Sequence, residues 1–172
     1  MAHHINRRAL CTLLLGAATV PTAFAAGARA AQQGKTILTV SGRIGASNKD
    51  GVAEFDRSAL EALGSERFET TTPWHSGAVQ FEGVRMDRLM QAVGATGESV
   101  TAVALNDYTT EIPISDFRAY GTLLALKRDG NYMPVRDKGP LFIVYPYDSK
   151  PELKAQQFYS RSAWQVAKIV VK

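Results

Sequence analysis

Short runs in which apolar and polar residues alternate occur along most of the chain, a pattern that predicts strands more often than helices. Residues 37–44 alternate well enough to form a first strand, and residues 67–72 and 78–81 are further short β-rich runs. Pro73 ends the second of these runs. The unbroken apolar run 141–145 is typical of a strand that is buried on both faces. The pattern therefore predicts a β-rich core.

The second half of the chain continues the pattern. A hairpin is predicted around Asp129-Gly130, because this dipeptide favours the tight turn that joins two antiparallel strands. In the first half of the chain, residues 48–51 form a further predicted turn. The remaining predicted strands are 99–105, 109–114, 123–127, 132–135 and 163–171.

Helices are predicted to be few and short. Asp56 can cap a helix that Gly64 ends, and residues 86–93 carry apolar side chains at helical spacing. A third helical turn is expected to end at Tyr120. Many short strands with two or three short helices predict an α+β fold in a single domain.

The N-terminus has the pattern of an export signal. Arg7 and Arg8 precede an apolar stretch at 9–20, and residues 23–25 read Ala-Phe-Ala, a small-x-small cleavage signature. The stretch is shorter than the roughly 20 residues of a membrane span, which favours cleavage over an uncleaved anchor. Twin-arginine export and ordinary secretion both remain open, because the arginine pair lacks the usual preceding Ser or Thr.

This division predicts a signal peptide over 1–25, a flexible tether over 26–35 and one domain over 36–172. Cleavage near Ala25 would give a periplasmic protein that is not inserted in the membrane. The chain has 20 basic and 16 acidic residues, and two of the basic ones lie in the leader, so the mild balance argues against nucleic-acid binding. Cys11 is the only cysteine, and the mature domain therefore lacks a disulfide and a thiolate ligand.

Several segments form an ordered pattern. Residues 73–77 read PWHSG, and residues 81–90 read FEGVRMDRLM. The later segments are ALNDY at 104–108, EIP at 111–113, RDKGPL at 136–141 and YSRSAW at 159–164. In this order they resemble sulfite-oxidase-fold proteins, the oxidoreductase molybdopterin-binding domain family. The resemblance covers nearly all of 35–172 and implies one sulfite-oxidase-like domain with mixed β-sheets and short helices.

Two departures from the family pattern concern the chemistry. Enzymes of the family hold molybdenum through a cysteine thiolate, a soft ligand, about a dozen residues before the Gly-Val pair. Counting back from Gly83 gives Thr71, whose neutral hydroxyl cannot replace a thiolate. Trp164 stands where the enzymes commonly carry a cofactor-binding lysine. The departures predict that the protein is not a redox enzyme.

A subset of small periplasmic proteins with this fold binds free pterins and reports them to a membrane sensor that makes or degrades cyclic di-GMP. The chain resembles this subset because it is short, exported and cysteine-free after cleavage. The resemblance implies a pterin ligand, with a reduced pterin favoured and molybdopterin as the other candidate, and the periplasmic domain of a membrane sensor as partner. One alternative is a molybdopterin-dependent oxidoreductase or accessory subunit that uses the cofactor without a cysteine ligand. Another is an interaction protein with a vestigial groove.

The first group of candidate ligand-binding residues lies on two loops. Trp74 could stack on a pterin ring or plug the core below its loop. His75 could hydrogen-bond a ligand or be an ordinary solvated histidine. The Asp107 carboxylate suits the two adjacent N–H groups of the amino-pyrimidinone edge. Its neighbours Asn106 and Tyr108 join it as candidates, with an ordinary turn as the alternative.

The second group consists of basic residues and a serine. Arg136, Lys138 and Arg161 could fix the side chain of a pterin or the phosphate of molybdopterin, or could be ordinary surface charges. Arg161 and Ser162 belong to the terminal motif, which the resemblance places beside the cofactor groove of the family. Tyr159 is expected to cover the core.

Overall fold

The protein was analysed as a computed structural model that describes Met1 and residues 34–172. The predicted signal peptide, apart from Met1, and the predicted tether up to residue 33 therefore lie outside the described residues. Residues 34–172 form two β-sheets and four short α-helices. This arrangement confirms the predicted α+β fold.

The first sheet contains both ends of the described domain. Its strand order is β2-β1-β11-β5-β6, with β1 and β11 parallel and the other neighbours antiparallel. The last strand of the chain therefore lies in the middle of the sheet. The strands are β1 (Leu38–Gly42), β2 (Ala53–Phe55), β5 (Ser99–Ala104), β6 (Thr109–Pro113) and β11 (Val166–Val171).

The second sheet is antiparallel throughout, with the order β10-β9-β7-β4-β3 and β8 paired to β7. Residues 141–145 are completely buried around β9, as their apolar run predicts. The strands are β3 (Glu66–Thr71), β4 (Ala78–Arg85), β7 (Leu123–Arg128), β8 (Asn131–Tyr132), β9 (Phe142–Val144) and β10 (Ala163–Trp164).

Four helices connect the strands: α1 (Arg57–Ala62), α2 (Met86–Ala92), α3 (Ile114–Tyr120) and α4 (Gln156–Arg161). Asp56 caps α1 as predicted, since its Oδ1 accepts a hydrogen bond of 2.7 Å from the Ala59 N–H. The sequence did not predict α4, because Phe158 is its only buried residue and it has no periodic apolar face. No helix in the described part of the chain is long and apolar enough to cross a membrane.

The prediction of one continuous strand over 163–171 was wrong. Gln165 has a φ of +55°, and this left-handed residue separates β10 from β11. The two halves of the segment belong to different sheets, so the chain passes from one sheet to the other at Gln165.

The predicted hairpin is confirmed, but its second strand is shorter than expected. Only Asn131 and Tyr132 pair with β7, and the segment Val135–Asp137 forms a 3-10 turn. Pro134 precedes this turn and has no N–H to donate to a ladder, which explains why the strand ends early.

The packing of the second sheet explains why Gly83, the first residue of the Gly-Val motif, is a glycine. A Cβ atom on this residue would lie 2.1 Å from the backbone oxygen of Leu124 on the neighbouring strand β7. Only glycine permits this close approach of β4 to β7. The motif residue therefore serves the packing of the sheet.

Candidate ligand-binding site

A cavity of about 340 Å³ lies where the loop after β3, the β5–β6 turn and α4 with β10 meet. Its volume is at the lower end of the range of roughly 300 to 1,000 Å³ that holds small ligands. The lining residues are Pro73, Trp74, Asn106, Tyr108, Gln156, Tyr159, Ser160, Ser162 and Trp164.

Trp74 forms the centre of the aromatic wall. Its ring meets four others edge to face, with centroid distances of 5.4 Å to Trp164, 5.7 Å to Phe142, 6.1 Å to Tyr159 and 6.2 Å to Tyr147. The side chain is half-buried. The ring therefore packs on the core, as one of the two interpretations expects, and it also lines the cavity. Stacking of Trp74 on a pterin stays a prediction.

Neutral polar groups form the other side of the cavity. The Tyr108 hydroxyl donates to the Ser160 backbone oxygen at 3.1 Å, and the Gln156 amide donates to the Ser160 hydroxyl at 3.3 Å. Asn106 adds a second side-chain amide, and each amide offers both donors and an acceptor. Within residues 34–172 the lining contains no charged side chain. Such a cavity suits an uncharged, flat ring with hydrogen-bonding edges.

Ser162 is the most buried polar residue of the lining, with 3% of its surface exposed. Its hydroxyl donates to the Phe158 backbone oxygen at 3.1 Å and also bonds to the Tyr147 hydroxyl. Burial raises the pKa of Tyr147, so this phenol keeps its proton and can donate it to Ser162. Ser162 therefore holds the end of α4 against the core.

The structure brings together four of the nine predicted ligand-binding residues. Trp74, Asn106, Tyr108 and Ser162 come from three separate segments and line one cavity. A fifth, Lys138, is not in the lining but contacts a lining residue, because its Nζ is 5.4 Å from the centroid of the Trp164 ring, at cation–π distance.

Arg161 lies outside the lining. Its Nη1 donates to Oδ2 of Asp116 at 2.9 Å, and the same oxygen accepts a hydrogen bond of 2.8 Å from the Tyr145 hydroxyl. Asp116 is 7% exposed. Arg161 therefore forms an ion pair with Asp116 on α3. The sequence analysis considered only a ligand contact or an ordinary surface charge for this residue.

Asp107 and Arg136 are also absent from the lining. Asp107 is an exposed residue of the β5–β6 turn with a φ of +62°, and its N–H donates to the Ala104 oxygen at 3.1 Å. Arg136 is exposed on the 3-10 turn Val135–Asp137. Their ligand contacts stay predictions.

His75 is not among the lining residues, and both of its ring nitrogens contact protein groups. Its Nδ1 is 2.9 Å from Oγ1 of Thr72, and its Nε2 is 3.1 Å from Nη1 of Arg128. Burial lowers the pKa of His75, and the positive charges of Arg128 and Lys138 lower it further. A ligand contact of His75 stays a prediction.

Sequence reasoning missed five lining residues: Pro73, Gln156, Tyr159, Ser160 and Trp164. Tyr159 packs on the core as expected and also lines the cavity. Gln156 carried no signal, because no motif or periodic pattern covers the start of α4. Ser160 lies within the terminal motif at 159–164 but was not singled out there. Trp164 did carry one, since it replaces a lysine of the family pattern.

Residues 55–148 match the protein family described as the oxidoreductase molybdopterin binding domain. This chain belongs to that family. The match spans more than half of the 172 residues and includes the loop of Trp74 and the β5–β6 turn. No curated protein matches the sequence at a significant level. Membership confirms the sulfite-oxidase-type resemblance and supports a pterin- or molybdopterin-binding role.

Thr71, the residue that counting back from Gly83 sets against the family's molybdenum ligand, makes structural hydrogen bonds in this molybdopterin-binding domain. Thr71 donates from its hydroxyl to Oδ1 of Asp148 at 2.8 Å and from its N–H to Oδ2 at 2.5 Å. Lys154 and these two hydrogen bonds hold the pKa of Asp148 well below its usual range. The Thr71 hydroxyl is therefore committed to a carboxylate and does not line the cavity.

The residues of the cavity fit the ring of a pterin. Trp74 and Trp164 both line the cavity and offer aromatic surface on which a flat ring can stack. The Asn106 and Gln156 amides can satisfy a donor and acceptor edge. Lys138 adds a cation in contact with the Trp164 ring.

Proposed function

We propose that this protein is an exported, non-catalytic pterin-binding protein that reports ligand occupancy to a membrane sensor controlling cyclic di-GMP. It acts in the periplasm after cleavage near Ala25, and a reduced pterin is its preferred ligand. The observation that carries the proposal is the cavity, whose lining within residues 34–172 contains two tryptophans and no charged side chain. This cavity belongs to a molybdopterin-binding domain. The only cysteine of the sequence, Cys11, lies in the predicted leader.

The environment of Thr71 supports a non-catalytic role. A thiolate is the protein ligand through which the enzymes of this family hold the metal, and the hydroxyl at this position is a hydrogen-bond donor to Asp148. The family's fold can therefore keep its ring-binding function while lacking its redox chemistry.

An exposed apolar rim beside the cavity supports the relay to a partner. We define the rim as Leu105, Tyr108 and Val135, which are 53%, 46% and 51% exposed. Gln165 links its two sides, since its backbone oxygen accepts from the Leu105 N–H at 2.9 Å and its Nε2 donates to the Val135 oxygen at 2.6 Å. Exposed apolar groups that cluster in this way mark interaction surfaces.

The charges next to the rim indicate the chemistry of the partner surface. Arg136 and Lys138 follow Val135, and neither forms an ion pair within residues 34–172. A sensor domain that presents acidic and apolar side chains would complement both features. Because Tyr108 belongs to both the rim and the cavity lining, the partner would touch a residue that the ligand also touches.

The first prediction concerns the native ligand. Protein isolated from the periplasmic fraction is expected to carry a free pterin, to contain no stoichiometric molybdenum, and neither to oxidise sulfite nor to reduce sulfoxides. Elemental analysis, extraction of the ligand and turnover assays measure these properties, and added pterins in oxidised and reduced forms measure the preference. Stoichiometric molybdenum with turnover would overturn the proposal, and protein that binds no pterin in any form would also contradict it.

The second prediction concerns the rim. Val135→Glu and Leu105→Glu are expected to leave pterin affinity unchanged and to abolish the cyclic di-GMP response of cells to added pterin, because each places a charge in an apolar interface. Gln91→Glu, an exposed position on α2 outside the rim, is the charge-matched control. A normal cellular response in both rim variants would exclude this surface as the partner site.

A further inference from the structure

The loop that carries Trp74 is tied to the second sheet by a chain of four side chains. Thr72 contacts His75, His75 contacts Arg128, and Arg128 forms a two-pronged ion pair with Asp137 at 3.1 and 2.5 Å. Arg128 ends β7, and Asp137 lies on the 3-10 turn next to Lys138. These side-chain contacts therefore connect the cavity wall with the segment that bears the rim residue Val135.

The hydrogen-bond partners fix the tautomer of His75. An arginine side chain has donors and no acceptor, so Nε2 of His75 must accept from Arg128. The ring proton must then be on Nδ1, which donates to Oγ1 of Thr72. The same Oγ1 accepts a hydrogen bond of 3.3 Å from the N–H of Trp74. The neutral Nδ1–H imidazole therefore sets the start of the Trp74 loop.

A second proton on the imidazole is incompatible with this arrangement. Protonated Nε2 would be a donor facing the Arg128 donor, and two positive charges would lie about 3 Å apart, where Coulomb repulsion is strong. Four charged groups act on the ring through Coulomb interactions. Arg128 and Lys138 disfavour the cation and Asp137 and Asp129 favour it, while burial is the largest influence and disfavours it.

We propose that His75 is a positioning residue whose neutral Nδ1–H form holds Trp74 in the cavity wall, so that protonation of the imidazole releases the loop and weakens pterin binding. This inference rests on the proposed pterin-binding function. It assigns His75 a role through Trp74 in place of the direct ligand contact that the sequence offered.

The first part of the test does not need a ligand. Nitrogen NMR of the full chain at pH 7.5 should show His75 as the Nδ1–H tautomer, with its signals assigned by their loss in His75→Gln. The indole N–H signal of Trp74, assigned with Trp74→Phe, should shift with the same pH midpoint as the imidazole and should not shift in His75→Gln. An Nε2–H tautomer, or a Trp74 signal that does not follow His75, would overturn the inference even if no pterin bound.

The second part measures affinity for 6-hydroxymethylpterin between pH 7.5 and pH 5.0. Below the pKa of His75, wild-type affinity is expected to fall by up to about tenfold per pH unit, because binding selects the neutral form. His75→Gln should show no such fall, since the amide oxygen can accept from Arg128 but does not titrate. Titration of the ligand itself would affect both proteins equally, so parallel curves would overturn the inference. Failure of both proteins to bind any pterin would instead contradict the proposed function.

Discussion

Replacement of Trp74 by alanine is expected to lower the affinity for a pterin about 5- to 30-fold and the free energy of unfolding by about 2 to 3 kcal/mol. The affinity falls because an aromatic wall of the cavity is lost, and a stacking contact with its buried area contributes roughly 1 to 2 kcal/mol. Stability falls because the ring makes four edge-to-face contacts with core and cavity aromatics. A fully buried tryptophan would cost about 3 to 5 kcal/mol, and Trp74 is half-buried.

Calorimetric titration with a reduced pterin measures the affinity, and urea denaturation of the unliganded protein measures the stability. Trp74→Phe is the matched control, because phenylalanine keeps an apolar ring in contact with Phe142 and Tyr147 while reducing the stacking surface. It should recover most of the stability and only part of the affinity. An alanine variant as stable as the wild type would contradict the aromatic packing described here.

Replacement of Asp116 by alanine is expected to lower the free energy of unfolding by about 3 kcal/mol. The carboxylate is nearly buried and accepts hydrogen bonds from both Arg161 and Tyr145, so its removal leaves a guanidinium and a buried phenol unpaired. Arg161 is 27% exposed, which places the estimate near the lower end of the cost of breaking a buried pair. Pterin affinity should fall as well, because Arg161 ends α4, which supplies several lining residues.

A double-mutant cycle tests this assignment. Asp116→Ala combined with Arg161→Ala should cost clearly less than the sum of the two single changes, because the double variant contains no uncompensated partner in this pair. Tyr145→Phe removes only one of the two hydrogen bonds and should cost about 1 kcal/mol. Urea denaturation of the four variants gives the values. Additive costs would show that Asp116 and Arg161 do not stabilise each other.

Local signals predicted the parts of the fold that local chemistry determines. The Asp129-Gly130 turn, the Asp56 cap and the apolar run before Tyr145 each specify their own structure within a few residues. The break at Gln165 could not be predicted in this way. Gln165 has a left-handed backbone because the chain passes from one sheet to the other at this residue. The β-forming residues on both sides of Gln165 do not indicate that they belong to different sheets.

The candidate site could likewise be predicted only in part from the sequence. Trp74, Asn106, Tyr108 and Ser162 were predicted from motif order, and the fold brings them to one cavity. The ion pair of Arg161 was not predicted, because residue type indicates a charge but not its partner, which is 45 positions away on α3. For charged residues of this kind, only the three-dimensional structure distinguishes a ligand contact from an ion pair.

The central position of β11 has a consequence for how the protein is made. Lys168 of β11 pairs with Thr39 of β1 on one side and with Val103 of β5 on the other. The two halves of the first sheet are therefore joined only through β11. Contacts between such distant segments form late, because a long loop must be closed before they contribute. Synthesis must therefore reach β11 before β1 and β5 gain the neighbour that lies between them. A premature stop after Trp164 would remove β11 and with it the middle of the first sheet, although every residue of β1, β2, β5 and β6 would still be made.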